Sequence, residues 1–374
     1  MTGYMSEFFR KMIMLGIAAT MLIIVSACEE EVEVKKGNTL QPSRFAYATG
    51  EGNNELYHFT YDSVAGEVTL QNTYASSGTV PLMMEVHPSG SFLYVANNGS
   101  SQVIAYSIDG VTGNLTEISP YTVTLDPWNI LISPNGKHLY VSHLNEATVT
   151  VMEIDQGTGA LTPITTVSTP STVGTMAFHP NGMYLYVPVM EGSIYIFSYD
   201  SVTGGLTPTV DSPATATTNP LAISFSPDGS IAYTGGVTGS IEGFSVDGTT
   251  GALTNIAGST LSVDATGMIF GVMFHPALPV LFVPVMATSG NVFTYSMDGG
   301  GLPVALGTPQ GVGGGGPKMN LDGLRNFAFV TDYTNNQFFS LAVDSATGAL
   351  SPHPTTPTFN TPTSALPFEI IFVP

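Results

Sequence analysis

The sequence predicts an all-β protein, a seven-bladed β-propeller of four-stranded blades, on three observations. A turn motif close to Asp-x-x-Thr-Gly recurs along the chain, and strand signals surround every copy. The copies begin at Asp62, Asp109, Asp155, Asp200, Asp247, Asp298 and Asp344. The first and last copies are six periods apart, which gives a mean period of 47 residues. Because a propeller blade takes roughly 40–50 residues, seven copies with this period indicate seven blades.

Each copy contains four strand signals, which we name a, b, c and d in chain order. In one clear copy, alternating and β-branched residues predict strands at Leu82–His87, Ser91–Ala96, Gln102–Ile108 and Leu115–Ser119. The a–b turns share a His/Ser-Pro-x-Gly pattern, starting at His87, Ser133, His179 and Ser226. Proline presets φ early in such a turn and glycine supplies positive φ later. We interpret both turn motifs as structural, because a site that is used once does not need repeated copies.

The two ends of the repeat predict how the ring closes. The last segment, Leu366–Pro374, has the pattern of strand a, but no strand b follows it. The first copy begins at Arg44 with strand b. We therefore expect the C-terminal strand to complete the N-terminal blade, which removes the free sheet edges that an open ring would leave.

The N-terminal region has the pattern of an export signal. Arg10 and Lys11 precede an apolar run, Met12–Val25, that is too short for a spanning helix. The string Val25-Ser-Ala-Cys28 resembles the bacterial lipobox, in which the cysteine becomes the lipidated first residue of the mature protein. The alternative is ordinary secretion with an unmodified cysteine. The expected organisation is a leader (1–27), a lipidated Cys28 with an acidic tether (28–43), and the propeller (44–374).

These features predict a lipoprotein of the bacterial cell envelope, in the outer membrane rather than the inner, attached by its lipid alone. Removing Glu7, Arg10 and Lys11 with the leader leaves 27 of the 28 acidic residues and 6 of the 8 basic residues, a formal charge of −21. Nucleic acid and anionic lipid headgroups are excluded as partners, because binding them requires clustered Lys and Arg. We expect a monomer whose partner is a small polar ligand or an envelope protein.

No cofactor and no metal are expected. The sequence has no Cys-x-x-Cys-His haem motif, and its single tryptophan argues against a propeller that docks a quinone cofactor between tryptophans. The glycine-rich segment Gly311–Gly316 follows no strand-to-helix transition, so we interpret it as a d–a loop rather than an anion-binding loop.

The a strands predict the lining of the central channel. Aligned on the a–b turn, two alternate columns are apolar in every blade and are expected to pack between blades. The intervening columns face the channel, and their polar residues fall on neighbouring blades. With the ends of adjacent b strands they form the predicted polar arc at the channel mouth: Lys318, Asn320, Glu369, Glu85, Asn129, Asn97, His143 and Asp332. A concave, one-sided polar surface predicts a ligand site; the alternative is a wet channel in which Lys318 and Glu369 form an internal ion pair.

The repeat strings also resemble a known family. The segments His87–Asn97, Ser133–Val141 and Thr158–Thr162 are similar to bacterial lactonase-type seven-bladed propellers, which include 6-phosphogluconolactonases and related Tyr-Val-Thr-Asn repeat proteins. The resemblance extends over Arg44–Pro374 and implies the same fold. It also implies Arg and His at the starts of two a strands in the enzymes. Here the corresponding stretches are Pro220-Leu-Ala222 and Gly174-Thr-Met-Ala177, and both lack these residues.

The functional prediction is a lipid-anchored binding or interaction module with a degenerate lactonase site. Of the basic residues near the mouth only Lys318 remains, which argues against a phosphorylated substrate. The alternative is a lactonase for a neutral or cationic lactone, in which Glu369 or His143 activates water and Lys318 stabilises the oxyanion. A third possibility is a structural ring that spaces the partners of an assembly.

Overall fold

The computed structural model describes residues 42–287, 290–314, 318–356, 358–362 and 364–373, and the elements within these ranges are strands and turns. The strands of the first part of the chain are β1 Phe45–Gly50, β2 Glu55–Asp62, β3 Glu67–Ala75, β4 Pro81–Val86, β5 Phe92–Asn97, β6 Gln102–Ile108, β7 Leu115–Thr122, β8 Pro127–Ile132, β9 His138–His143, β10 Thr148–Ile154, β11 Leu161–Ser168, β12 Ala177–Phe178, β13 Tyr184–Val189, β14 Ser193–Tyr199, β15 Leu206–Pro208 and β16 Ala214–Thr215.

The strands of the second part are β17 Pro220–Phe225, β18 Ile231–Gly236, β19 Ser240–Val246, β20 Leu253–Asn255, β21 Leu261–Ser262, β22 Met273–Phe274, β23 Val280–Val285, β24 Asn291–Met297, β25 Pro303–Ala305, β26 Gln310–Gly311, β27 Met319–Leu321, β28 Phe327–Asp332, β29 Gln337–Val343, β30 Leu350–Pro352, β31 Thr358–Asn360 and β32 Pro367–Val373.

These strands form seven antiparallel sheets, which are the predicted blades, so the fold prediction is confirmed. Blade 1 has the order β3-β2-β1-β32, blade 2 contains β4 to β7, and blade 3 contains β8 to β11. In blades 4 to 7 the outermost d region is divided into two short strands, each of which pairs with strand c. Strand c of blade 2 has its predicted bounds, whereas its strand a begins one residue earlier, at Pro81.

The C-terminal strand closes the ring as the sequence predicts. Strand β32 pairs with β1 in an antiparallel register that sets Val373 opposite Phe45 and Ile370 opposite Ala48. Ile370 is 1% exposed and packs among Phe329 and Phe338 of blade 7. The last strand therefore joins blade 1 by backbone hydrogen bonds and blade 7 by apolar contacts.

Seven apolar clusters of the described residues each lie at one interface between neighbouring blades, and an eighth, smaller cluster contains Leu82, Met83 and Phe368. One column of the aligned a strands supplies a residue to each of the seven interface clusters: Met84, Ile130, Met176, Ile223, Val272, Met319 and Ile370. These side chains are all at least nine-tenths buried, which agrees with the predicted packing of this column between blades.

A tyrosine of strand b fastens successive blades to each other. Its hydroxyl donates to the carbonyl of the c–d turn glycine in the next blade, at distances from 2.5 to 3.0 Å. The donors are Tyr47, Tyr94, Tyr140, Tyr186 and Tyr233. Blades 6 and 7 have Phe282 and Phe329 at this position, and at the closing interface His353 Nε2 instead lies 2.7 Å from the carbonyl oxygen of Ala65.

The c–d turn motif has the structural role that its repetition predicts. In blade 2, Asp109 Oδ1 accepts hydrogen bonds from the backbone N–H groups of Val111 and Thr112, and Gly113 has a φ of +73°. These hydrogen bonds hold the pKa of Asp109 below its ordinary value. The equivalent glycines of the other blades also have positive φ, a conformation that costs glycine little. The repeated carboxylates therefore cap turns.

Candidate functional site in the central channel

The channel has two ends, which are distinguished by their connections. Strand a runs from the face that carries the d–a loops and b–c turns, here named the mouth face, towards the face that carries the a–b and c–d turns, here named the turn face. This direction follows from the antiparallel pairing of strands a and b, in which Pro81 lies opposite Asn97 and Val86 opposite Leu93. Position along strand a therefore measures depth in the channel.

Strand a carries a β-bulge at the mouth face in four blades. The register against strand b shifts by one residue directly after Pro81 in β4, Pro127 in β8 and Pro220 in β17, and the equivalent shift against β1 follows Pro367 in β32. A bulge places two residues opposite one and redirects their side chains. Strict alternation, on which the predicted channel columns rest, therefore fails at this level of the strands.

The residue before each of these prolines has a left-handed backbone conformation. Val80, Asp126, Asn219 and Leu366 have φ values between +47° and +55°. The carbonyl of each accepts a backbone hydrogen bond from the residue that follows strand b of the same blade, as Val80 does from Asn98 at 2.9 Å. Such a conformation is unfavourable for valine and leucine and persists only where neighbouring structure imposes it. The repeated proline is the sequence signal for this left-handed residue and the bulge that follows it.

Three aromatic side chains meet at the mouth end of the channel, two of them from bulged strands. The ring centroid of Trp128, in blade 3, lies 5.5 Å from that of Phe368 in blade 1 and 6.0 Å from that of Phe270 in blade 6. Leu82 and Met83, the bulge residues of blade 2, pack with Phe368 and are at most 5% exposed. We name Trp128, Phe270 and Phe368 the aromatic cover. Strict two-residue alternation along strand a does not predict this cover.

Immediately deeper in the channel lies a charged cluster formed by Lys318, Glu369, Glu85 and Asn320. Burial raises the pKa of Glu369 to about 7, against the opposing effects of the Lys318 ammonium, the Met84 N–H and Asn320. Burial lowers the pKa of Lys318, while Glu369 and Glu85 act to raise it. Two carboxyl groups thus share one ammonium, and Glu85 adds to the rise in the pKa of Glu369.

Glu369 is also fixed by hydrogen bonds to neighbouring strands. Its Oε2 accepts the backbone N–H of Met84 at 2.6 Å, and its own N–H donates to Thr49 Oγ1 at 3.2 Å. Thr49 Oγ1 in turn donates to the carbonyl of Leu82 at 2.8 Å. The carboxylate is 7% exposed in this setting and links blade 1 to blade 2.

Two predicted amides make similar links between inner strands. Asn129 Oδ1 accepts the backbone N–H of Met176 at 3.0 Å and so connects blades 3 and 4. Asn320 Nδ2 donates to the carbonyl of Ile370 at 2.8 Å and connects blades 7 and 1. Both side chains therefore stabilise the ring. The described residues that line the cavities of the channel include Asn320 but not Asn129.

Two cavities adjoin the charged cluster. The first, of about 160 Å³, is lined by Lys318, Glu369 and Asn320 together with the small residues Thr175, Ala222 and Gly271. The second, of about 220 Å³, lies nearer the turn face and is lined by Glu85, Val86, Asn320, Leu321, Ile371 and Phe372. Because Asn320 lines both, the two cavities are adjacent compartments of the same channel.

The structure places three residues of the polar arc elsewhere. Asn97, His143 and Asp332 end their b strands with no exposed area, and the described residues that line the two cavities do not include them. Asn97 Oδ1 accepts from Ser76 Oγ at 2.9 Å, and Asp332 Oδ2 accepts from Gln337 Nε2 at 2.8 Å. These contacts hold the nearby loops.

His143 also has hydrogen-bond partners for both ring nitrogens within its own blade. Its Nδ1 lies 3.0 Å from the carbonyl oxygen of Leu125, and its Nε2 lies 2.9 Å from Thr150 Oγ1. The carbonyl can only accept, so Nδ1 carries the proton and Nε2 accepts from the hydroxyl. Burial lowers the pKa of His143, which keeps the imidazole neutral at neutral pH. It is not positioned to activate water in either cavity.

The inner edge of blade 4 departs from the predicted strand a. Strand β12 begins only at Ala177, and Thr175 instead forms a parallel bridge with Ala222 of blade 5, its N–H donating to the Leu221 carbonyl at 2.7 Å. A Cβ on Gly174 would overlap that carbonyl oxygen. The two stretches in which the family resemblance implies His and Arg are therefore joined to each other by backbone.

Several predictions concern segments outside the described residues. Cys28, the leader and most of the tether belong to this part of the chain, as does part of the Gly311–Gly316 loop. Among the described residues there is no helix long and apolar enough to cross a membrane. The same ranges contain no group of three or more His, Cys, Asp or Glu arranged to hold a metal ion.

Fold and channel together define a closed seven-bladed propeller with a candidate small-molecule site on its inner strands. Comparison with known proteins identifies the family. The model of the lactonase family with a seven-bladed β-propeller matches residues 38–131 and 126–225. The chain therefore belongs to the seven-bladed β-propeller lactonase family.

Solved structures of bacterial proteins have the same fold. A candidate 6-phosphogluconolactonase from Bacteroides fragilis superimposes with a TM-score of 0.80 at 19% identity, over 90% of this chain and 99% of the other. One from Bacteroides uniformis gives 0.79 at 18% identity, over 89% and 100%. The periplasmic gluconolactonase PpgL of Pseudomonas aeruginosa gives 0.77 at 18% identity, over 89% and 99%. No curated protein matches the sequence.

Proposed function

We propose that this protein is a lipid-anchored binding module of the bacterial cell envelope, which takes a small uncharged or positively charged polar ligand in the channel and has a degenerate lactonase site. The observation that carries the proposal is the backbone contact between Gly174 and Leu221. Any side chain at position 174 would collide with backbone, so a catalytic histidine has no place there.

The charges of the channel support a ligand without negative charge. Lys318 is the cation of the cluster, and Glu369 and Glu85 both act on it. Phosphate recognition relies on charge-assisted hydrogen bonds from Arg or Lys, and two carboxyl groups beside the lysine oppose it. A ligand with hydroxyl or amine donors would instead bind favourably to the carboxylates.

The proposed location in the cell envelope is supported by the N-terminal sequence. The apolar run Met12–Val25 and the lipobox-like string that ends at Cys28 support export and lipidation. The described chain enters the propeller at Ser43, whose Oγ accepts the N–H of Gly323 in an a–b turn at 2.9 Å. A tether from Cys28 would therefore reach the propeller at its turn face.

A lactonase for an uncharged lactone is the second candidate, and a specific observation favours it. Burial raises the pKa of Glu369 to about 7, which suits a general base or acid near neutral pH. In such an enzyme Glu369 would activate a water molecule and Lys318 would stabilise the oxyanion. One of the bacterial proteins with the same fold is a gluconolactonase.

One experiment separates the two candidates. The purified protein is incubated with glucono-δ-lactone, 6-phosphogluconolactone and uncharged alkyl lactones, while hydrolysis is followed in a pH-stat and stabilisation by thermal melting. We expect no hydrolysis above the buffer rate and a rise in melting temperature with an uncharged compound. Turnover that is abolished by Glu369→Gln but retained in Asp155→Asn, a change on an exposed turn, would favour the enzyme.

A further inference from the structure

The aromatic cover spans the channel at its mouth end. Trp128 reaches from blade 3 to contact Phe368 of blade 1, two blades away, and Phe270 of blade 6, on the far side of the ring. Ring centroids 5.5 and 6.0 Å apart correspond to side chains in van der Waals contact. The three rings therefore form a bridge across the opening rather than lining its wall.

The cover lies on the mouth side of the charged cluster. Phe368 directly precedes Glu369, Trp128 precedes Asn129, and Phe270 precedes Gly271, which lines the first cavity. Because strand a runs from the mouth face inward, each ring stands one residue closer to the mouth than the group it precedes. Phe368 is 8% exposed, and the bulges and the prolines before them hold two of the rings in place.

The second cavity lies on the opposite side of the charged cluster. Ile371 and Glu85 line it at positions on strand a that are deeper than Glu369 and Met83, and close to the a–b turns. It is larger than the first cavity, about 220 against about 160 Å³, and Asn320 belongs to the lining of both. A molecule in the second cavity thus lies against Glu85 and Asn320 of the charged cluster.

We propose that the channel site exchanges its contents with solvent through the second cavity and the turn face, while the aromatic cover closes the mouth. Glu85 and Asn320 are then the first polar groups that an entering molecule meets, and Lys318 and Glu369 the last. This route extends the proposed function by giving the site an entrance, and Trp128 becomes the residue that determines which end is open.

Thiol labelling tests the route without a known ligand. Thr175→Cys places a reporter thiol in the first cavity of the full-length protein, and iodoacetamide is the probe. Modification is read peptide by peptide by mass spectrometry, so that Cys28 does not interfere. Ile371→Trp narrows the second cavity, and Trp128→Ala removes the centre of the cover. Thermal melting of each variant shows whether it is folded, and Ile371→Phe is the milder substitute if the tryptophan unfolds the protein.

We expect Ile371→Trp to slow the labelling of Thr175→Cys at least tenfold. Adding Trp128→Ala to this double variant should restore the labelling rate, because it opens the mouth. An unchanged rate in Ile371→Trp would overturn the proposal, whether or not Trp128→Ala accelerates labelling. The labelling rates do not depend on any ligand, so failure of the binding or lactonase assays leaves this test intact, and failure of this test leaves those assays intact.

Discussion

Glu369 accepts the backbone N–H of Met84 at 2.6 Å, so a single carboxylate of the last strand joins the first blade to the second beside the central channel. The same side chain interacts with Lys318 and has a pKa that burial raises to about 7. One residue therefore couples the closure of the ring to the electrostatics of the candidate site, and several predictions depend on it.

Stability should depend on pH through Glu369. Its pKa is about 7 in the folded protein and 4.5 ordinarily, so the folded state binds the proton more tightly. The resulting stabilisation is present in full below about pH 4.5 and is lost as the pH rises through about 7. The unfolding free energy of Glu369→Gln should therefore rise relative to that of the native protein by up to about 3 kcal/mol as the pH goes from 4.5 to 8. Urea unfolding at both pH values measures this, and Glu117→Gln, an exposed glutamate of β7, should show no such gain.

The charged pair should behave as a unit. Lys318→Met leaves Glu369 and Glu85 without their cation, and Glu369→Gln removes one of its partners. We expect the free-energy changes of the double variant to depart from the sum of the single changes by about 0.5–3 kcal/mol. Denaturant unfolding of the four proteins gives this coupling energy. Lys318→Met combined with Asp155→Asn, on an exposed turn, should be additive; additivity of the first pair would contradict the interaction.

Gly174 should tolerate no side chain. A Cβ at this position overlaps the Leu221 carbonyl, so Gly174→Ala forces the inner edges of blades 4 and 5 apart. We expect a loss of about 1–3 kcal/mol, the usual range for strain introduced into a packed interior. Gly110→Ala is the matched control, since a Cβ there meets no atom within 4 Å. Equal melting temperatures for the two variants would refute the close backbone approach.

Closure of the ring should determine the stability of the whole domain. Ending the chain at Pro367 removes most of β32, exposes an edge of β1 and uncovers the blade 7 face that Ile370 fills. We expect a loss of several kcal/mol, given about 1.5–3 kcal/mol for each large apolar side chain that is fully buried. Calorimetric melting provides the measurement. Ile370→Val, which retains the strand, should cost only about 0.5–1.5 kcal/mol.

Cys28 should be the site of lipid attachment. Cys28→Ala is expected to abolish palmitate incorporation and to leave the leader uncleaved, because the lipobox cysteine is both the modified residue and the first residue after cleavage. Metabolic labelling with palmitate and the mass of the purified protein provide the readouts. Ser26→Ala retains the cysteine and should be labelled normally. Palmitate that persists in Cys28→Ala would rule out the lipobox interpretation.

Much of the fold could be predicted because its determinants are local and repeated. The c–d motif requires its glycine at positive φ, as in Gly113, and the apolar column that contains Met84 requires burial between blades. The site was less accessible to sequence reasoning. Period-two alternation placed Glu369 and Lys318 in the channel, but it overlooked the bulge that brings Phe368 and Trp128 in beside them.

By itself the sequence determined the number of blades, the order of strands within them and the closing partner of the last strand. Repeat spacing, turn residues and strand periodicity depend on residues that are close together in the sequence. Only the tertiary structure decided which polar residues share a cavity. Asn97, His143 and Asp332 have the residue types of a site, yet each is used in hydrogen bonds to a nearby loop. The sequence also placed Lys318 and Glu369, 51 positions apart, on neighbouring blades of the closed ring. Only the tertiary structure shows the burial that raises the pKa of Glu369 and the cavity that both residues line, because these depend on how the seven blades pack around the channel.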